Sequence, residues 1–258
     1  MNTPKVNASL QASYDIQYTQ DLSEWRGLGA KPKAHRISSL WGAENKSRVL
    51  DCGAGEGSIL SILHDKYIAT DFYALEISDS ALKTLKERKL ERLRNIEKFD
   101  GYTIPYSSQF FDLVFCSHVI EHVEHPRLLI RELKRVSRQQ IFEIPIDYYF
   151  DVDSKVLHFH NYGHINIYTP SLFRFLLKSE GLHVDSEIYA SITKDELQFI
   201  RKVSNYQLSW FEKYTKMGYL KKQLIKTLIG QRRYLEYYTQ FYACLTYETG
   251  EMTCFKGI

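Results

Sequence analysis

Residues 49–60 read VLDCGAGEGSIL. An apolar run, a turn with glycine at every second position and the start of an amphipathic stretch follow one another. That order predicts a buried strand, a tight turn and the opening of a helix. Turns of this kind hold nucleotide cofactors at the carboxyl end of a strand. The dinucleotide fingerprint is GxGxxG, because a pyrophosphate must approach both backbone and helix N-terminus. Here the glycines are Gly53, Gly55 and Gly57, position 58 is serine, and Asp51 stands two residues before the first glycine. A carboxylate there repels a pyrophosphate and attracts a cationic amine. No GK[ST] follows, which excludes a Walker phosphate loop. The turn therefore favours a zwitterionic, amino-acid-bearing nucleotide over a dinucleotide.

Outward from the turn, short apolar runs alternate with helical periodicity from about residue 47, which predicts βαβ units and a parallel sheet. RVLDCG, FYALEIS, RNIEKFD, FFDLVFCS and QQIFEIPI are the expected parallel strands. HVDSEIYASI and QFYACLTYE form a terminal pair. Between them come helices over EGSILSILHDK, over residues 79–93 with an Asp/Ser cap, from HPRLLIRELKRV with Pro126 early in its first turn, and over TPSLFRFLLKSEG. In the last of these Thr169 is the N-cap, Pro170 the first helical residue and Gly181 the stop. The expected fold is α/β and Rossmann-like: a seven-stranded, mostly parallel sheet with a terminal antiparallel strand and helices on both faces. Residues 1–46 form a helical cap and 47–258 the cofactor-binding domain, with a helical insertion over about 193–237. There Leu208, Phe211, Tyr214, Leu220, Leu224 and Leu228 recur at helical spacing, beside the basic residues Lys213, Lys216, Lys221, Lys222, Lys226, Arg232 and Arg233.

Composition sets bounds on partners. The 258 residues are 44% hydrophobic and 25% charged, within the range of ordinary globular chains. No run of about 18 apolar residues exists to span a membrane, and the first residues lack a signal-peptide layout. A formal net charge of +3 is too small to imply nucleic-acid binding. Cys52, Cys116, Cys244 and Cys254 form no CxxC pair. They read as thiols of a reducing, cytoplasmic compartment.

Four stations in register, Asp51 with its glycines, Glu76, Asp100 and the stretch DGYTIPYSSQFFDLVFCSHVIEHVEHP, resemble the class I S-adenosylmethionine-dependent methyltransferases of the type 11/23 kind. The resemblance covers residues 47 to about 182. It implies S-adenosylmethionine as cofactor and S-adenosylhomocysteine as product. It also implies that Glu76 accepts from the ribose hydroxyls and Asp100 from the adenine amino group. Cofactor contacts extend to Gly53, Ala54, Gly55, Ile77, Gly101 and Ser117. In WRGLGAKPKAHRI, the cations Arg26, Lys31 and Lys33 precede the first strand, and Lys33 is the expected partner of the methionine carboxylate. That opening also resembles methyltransferases of bacterial surface-polysaccharide gene clusters. Asp112, Glu121, His122 and Pro145 are expected to be structural, with Glu121 and His122 satisfying backbone groups around the following helix start.

Removing a hydroxyl proton needs a base, and histidine titrates in the useful range. His118 follows the fourth strand. His158, His160 and His164 crowd one loop with Asp147, Asp151 and Asp153, and His118, His160 and His164 are the catalytic candidates. The expectation is no metal; the alternative is an ion held by HxH and nearby carboxylates. The leading function is O-methylation of a sugar-type or phosphorylated metabolite in glycan biosynthesis, by a monomer or homodimer, with an anionic acceptor facing the basic insertion. Competing readings are C- or N-methylation of an aromatic or quinone-like molecule, and a non-catalytic cofactor-binding partner protein. An RNA substrate is disfavoured, since CSHV stands where an N/D-P-P-Y motif would follow the fourth strand.

Overall fold

The computed structural model describes residues 5–19, 23–42, 47–148, 152–161, 163–204 and 223–249. Seven strands form one sheet in the order β3-β2-β1-β4-β5-β7-β6. Strands β1 (Arg48–Cys52), β2 (Asp71–Glu76), β3 (Leu93–Lys98), β4 (Phe111–Ser117) and β5 (Ser137–Pro145) are parallel. Strand β7 (Phe241–Glu248) runs antiparallel to both β5 and β6 (Leu182–Ala190). The expected sheet, with its terminal antiparallel strand, is the one observed.

Alternation along the central strands explains the layering, because successive side chains of a strand point to opposite faces. Leu50, Cys52, Val114, Cys116, Phe142 and Ile144 join one apolar cluster. Val49, Leu113, Phe115 and Ile141 join the other. Both faces are buried, hence the nearly continuous apolar runs. The central thiols Cys52, Cys116 and Cys244 are free and buried, and Cys254 lies outside the described residues.

Helices α1 (Ala8–Thr19) and α2 (Ser23–Trp41) precede β1, and α2 buries Ala30, Ala34 and Ile37. Helix α3 is Ser58–Asp65, α4 Asp79–Glu87, α5 Pro126–Val136, α6 Val156–Asn161, α7 Pro170–Ser179 and α8 Lys194–Ser204. Local chemistry sets their ends. Ser78 Oγ accepts from Ala81 N at 3.2 Å and Thr169 Oγ1 from Leu172 N at 3.1 Å, each closing an open amide of a first turn. Pro126 and Pro170 open α5 and α7, where the missing N–H costs nothing.

The helix expected over residues 79–93 stops at Glu87. Lys89 turns the chain at φ 50°, and the Arg92 carbonyl accepts from Phe72 N at 2.8 Å. Pairing of Leu93 with β2 and packing of Leu90 and Leu93 on the core override the helical propensity of the lysine- and glutamate-rich run. Of the insertion, α8, a helical stretch over 223–229 and a helix at Gln231–Tyr238 are described. Leu208, Phe211, Lys213, Tyr214, Lys216, Leu220, Lys221 and Lys222 lie outside the described residues. Among the described residues no helix is long and apolar enough to cross a membrane.

Candidate active site

The strand order reverses between β1 and β4, and in open α/β sheets ligands bind at the carboxyl ends of strands at such a point. The glycine turn sits there. Gly53 N and Ala54 N donate to the Leu75 carbonyl at 2.9 and 3.0 Å, docking the turn on β2. Gly53, Gly55 and Gly57 have φ of 87°, 53° and 78°, the left-handed region open to glycine.

Two acids frame the turn. Asp51 is 1% exposed, and its Oδ2 has no hydrogen-bond partner among the described residues. Burial, then the Glu76 charge, pushes its pKa up, and Lys33 opposes them. Glu76 is held in place by backbone amides: Gly55 N donates to Oε2 at 2.7 Å, while Ile77 N and Ser78 N donate to Oε1 at 2.8 and 2.9 Å. Ser117, at the end of β4, is buried with its Oγ also unpartnered among the described residues. Asp100 spends Oδ1 on Tyr102 N at 2.9 Å and Thr103 N at 2.6 Å, shaping the loop that carries Gly101.

The N-terminal segment closes over this turn. A cavity of about 80 Å³ is lined by Gly53, Glu76, Ile77 and Gly101 from the sheet edge, by Val6, Tyr14 and Tyr18 from the N-terminal segment, and by His118 and His122. A Cβ on Gly55 would stand 2.4 Å from the Tyr18 hydroxyl, and one on Gly101 2.0 Å from Val6 Cγ2. Asp15 ties α1 down, accepting from Ser78 Oγ at 2.7 Å and Ser80 N at 3.3 Å. A helical cap over residues 1–46 is the expectation from the sequence; which residues of α1 meet the turn is not legible there, because α1 has no apolar stripe to announce a packing face.

Beyond β4 the chemistry concentrates. His118 takes φ 56°, rare for a non-glycine residue and characteristic of constrained sites. Its Nδ1 is 3.5 Å from Glu121 Oε1 and its Nε2 3.3 Å from Glu143 Oε1. Burial, then Lys33, pushes its pKa down to about 4 against the pull of Glu143. Glu121 lies on a 3-10 turn, Ile120–His122, and is 1% exposed. Burial raises its pKa to about 7. The expectation that its side chain satisfies backbone groups is corrected. Neither carboxylate oxygen has a hydrogen-bond partner among the described residues, and it is the Glu121 carbonyl that accepts, from Ile165 N and Asn166 N, both at 3.0 Å.

That carbonyl brings in the loop of His164. His164 Nδ1 pairs with Asp147 Oδ2 at 2.5 Å, and its ring meets that of His122 edge-on at 4.8 Å. Burial lowers the His164 pKa, but the Asp147 hydrogen bond and the Glu121 charge outweigh it and the net shift is upward. His122 Nδ1 contacts the Gly163 carbonyl at 2.9 Å, and burial pushes its pKa down to about 3. Of the catalytic candidates, His118 and His164 thus gather around Glu121. His158 and His160 lie on α6, their side chains outside the described part. Glu121 and His122 were expected to be structural, yet adjacent acid and imidazole after the fourth strand, with a distant histidine, are a signal the sequence carries.

Among the α2 cations, Lys33 is half-buried, with burial and then the Glu143 and Glu121 carboxylates acting on it; burial prevails and lowers its pKa. Arg26 instead pairs with Glu56 at 2.8 Å, and Lys31 is exposed. Asp112, inside β4, accepts from Arg48 N at 2.9 Å and anchors the start of β1.

A Rossmann-like sheet with an acid–glycine turn at its switch point and an acid at the end of β2 defines the class I methyltransferase architecture. Residues 50–140 match the family described as methyltransferase domain, and this part of the chain is a domain of that class. A malonyl-[acyl-carrier protein] O-methyltransferase of Paenibacillus is 27% identical over 150 residues, 54% of this chain and 53% of that protein. The chain spans between half and three-fifths of the curated relatives heading the comparison. Phosphoethanolamine N-methyltransferase 2 of Haemonchus contortus, solved with S-adenosyl-L-methionine, shares the fold with a TM-score of 0.68 at 14% identity, over 95% of this chain and 61% of that one. The [4+2]-cyclase SpnF shares it with a TM-score of 0.61 at 15% identity, over 84% and 80%.

Proposed function

We propose that the chain transfers the methyl group of S-adenosylmethionine to an oxygen of a small or medium acceptor, of the sugar-type or phosphorylated kind. The carrying observation is the buried Asp51, with its unpartnered Oδ2 beside three glycines at the switch point, inside a segment that matches the methyltransferase domain. The residues present fit the cofactor. Asp51 offers a carboxylate to an ammonium, Glu76 is pre-aimed by three amides, and Ser117 Oγ is an open polar group. When bound, S-adenosylmethionine supplies an electrophilic methyl group on a sulfonium. The protein aligns the acceptor and manages its proton. His118 is the neutral imidazole beside the pocket, available as a base at neutral pH. An anionic acceptor is favoured by the exposed Arg232 and Arg233 of the insertion. The two N-terminal helices serve as the cap of the cofactor site, as α1 already covers the glycine turn.

Fold alone does not fix an activity, and a cyclase shares this one. The test is therefore binding first: calorimetric titration of the protein with S-adenosylhomocysteine, repeated on Asp51→Asn and Glu76→Gln. Micromolar binding that both changes weaken supports the reading. A folded wild type that binds nothing overturns it. A panel of hydroxyl, amine and aromatic acceptors with labelled cofactor then separates O-methylation from C- or N-methylation.

A further inference from the structure

We infer that Glu121, His122 and His164 form a binding site for a divalent transition-metal ion beside the cofactor pocket. Each offers one donor atom, and the three lie within 4.8 Å of one another. This is a different set from the HxH of His158 and His160.

Three independent features converge. First, Glu121 is buried with neither oxygen hydrogen-bonded among the described residues. The nearest approaches to Oε1 are long, from His118 Nδ1 at 3.5 Å and His122 Nε2 at 3.7 Å. A buried carboxylate with no hydrogen bond is costly, and an ion is one of the few partners that accounts for it. Secondly, both imidazoles are held by acceptors at Nδ1: His122 by the Gly163 carbonyl and His164 by Asp147. A donated Nδ1–H leaves the lone pair on Nε2, the arrangement that outer carboxylates and carbonyls impose on metal-binding histidines. His122 Nε2 is 3.7 Å from Glu121 Oε1. Thirdly, the backbone is built for the approach. The Glu121 carbonyl holds the amides of residues 165 and 166, and Gly163 at φ 73° presents its carbonyl to the His122 ring.

The donor set selects the ion. Two imidazoles and one carboxylate suit Zn²⁺, Mn²⁺, Fe²⁺ or Co²⁺ better than Mg²⁺ or Ca²⁺, which prefer all-oxygen shells. Bonds of about 2.1 Å at tetrahedral angles place donors about 3.4 Å apart, so binding draws the widest pair together by about 1.4 Å. Three protein ligands leave positions open for an exogenous oxygen. His122 also lines the pocket containing Gly53 and Glu76. An ion there holds an acceptor hydroxyl close to the cofactor site and lowers its pKa, a role the neutral His118 alone fills weakly. This last step rests on the methyltransferase reading; the metal site itself does not. The competing counter-charge for Glu121 is Lys33.

The test uses the full chain, freed of metal with chelator and titrated separately with Zn²⁺ by calorimetry and with Co²⁺ by visible absorption. About one ion per chain is expected, with ligand-field bands of low-symmetry Co²⁺. Glu121→Gln and His164→Gln should each abolish the bands, and Asp147→Asn should weaken affinity by about 10–100-fold. His183→Gln, on the far strand, should change nothing. Circular dichroism checks that each variant is folded. A folded wild type with neither heat nor Co²⁺ bands overturns the site, as does binding that survives both ligand changes. S-adenosylhomocysteine titrated into the same metal-free protein reports on the cofactor reading separately, so either can fail alone.

Discussion

Arg36 Nη2 lies 2.6 Å from Glu143 Oε1, and both side chains are buried. The pair ties α2 to the carboxyl end of β5, directly behind His118, whose backbone N–H donates to the Glu143 carbonyl at 2.9 Å. Breaking a buried pair leaves an uncompensated charge, which costs about 3–5 kcal/mol. Glu143→Ala should therefore lower stability by that amount in urea denaturation. Arg36→Met combined with Glu143→Leu should cost much less than the two single changes added together. Full additivity would show that the pair is not the source of the loss.

The cover over the glycine turn leads to a kinetic expectation. Asp15 holds α1 through Ser78 and Ser80, and Tyr18 stands over Gly55. Asp15→Ala should raise amide hydrogen exchange across residues 8–19 and speed the association of S-adenosylhomocysteine. The core strands should keep their protection. Unchanged exchange in α1 would mean that its packing, and not Asp15, keeps it closed.

The sheet was legible because its signals are local and repeat. Apolar runs such as Val49–Cys52 and Phe111–Ser117 are buried on both faces, and caps such as Ser78 and Thr169 mark helix starts. The 79–93 helix was overextended because Leu93 is drawn into a strand by a partner 21 positions earlier, Phe72, which no window around residue 90 contains. The same limit applies to the site. Asp51 and Glu76 stand out beside their glycines and strand ends. The gathering of Glu121, His122 and His164 depends on a loop folding back over 43 residues, through hydrogen bonds of main-chain groups that carry no side-chain signature.

Gly57 offers a direct check of the turn. Its φ is 78°, and an added Cβ would meet Leu85 Cδ1 at 2.2 Å. Gly57→Ala should destabilise the protein by about 1–3 kcal/mol, the cost of a left-handed non-glycine residue in a constrained site. The Leu85 methyl is the end of a flexible side chain, so adding Leu85→Val should recover only the steric part. Complete recovery would locate the whole cost in the contact and none in the backbone.

Stability at acid pH should depend on Glu180. Its carboxylate receives Arg127 Nη1 at 2.5 Å and Arg131 Nε at 2.6 Å, and Lys134 Nζ donates to its backbone carbonyl at 2.9 Å. Burial alone would raise its pKa, but the hydrogen bonds from Arg131 and Arg127 outweigh it and the net shift is downward. A folded-state value below the unfolded one, about 4.3, gives stability that is fully present above that value and fades as pH falls through the folded one. Glu180→Gln removes this dependence. Wild type should lose its advantage over the variant progressively as pH falls from about 5 through and below the unfolded value. The two arginines are half-exposed, so added salt should reduce the advantage at neutral pH. Thermal melts of both proteins over that fall in pH decide it: parallel curves would show that Glu180 titrates alike in the folded and unfolded chains.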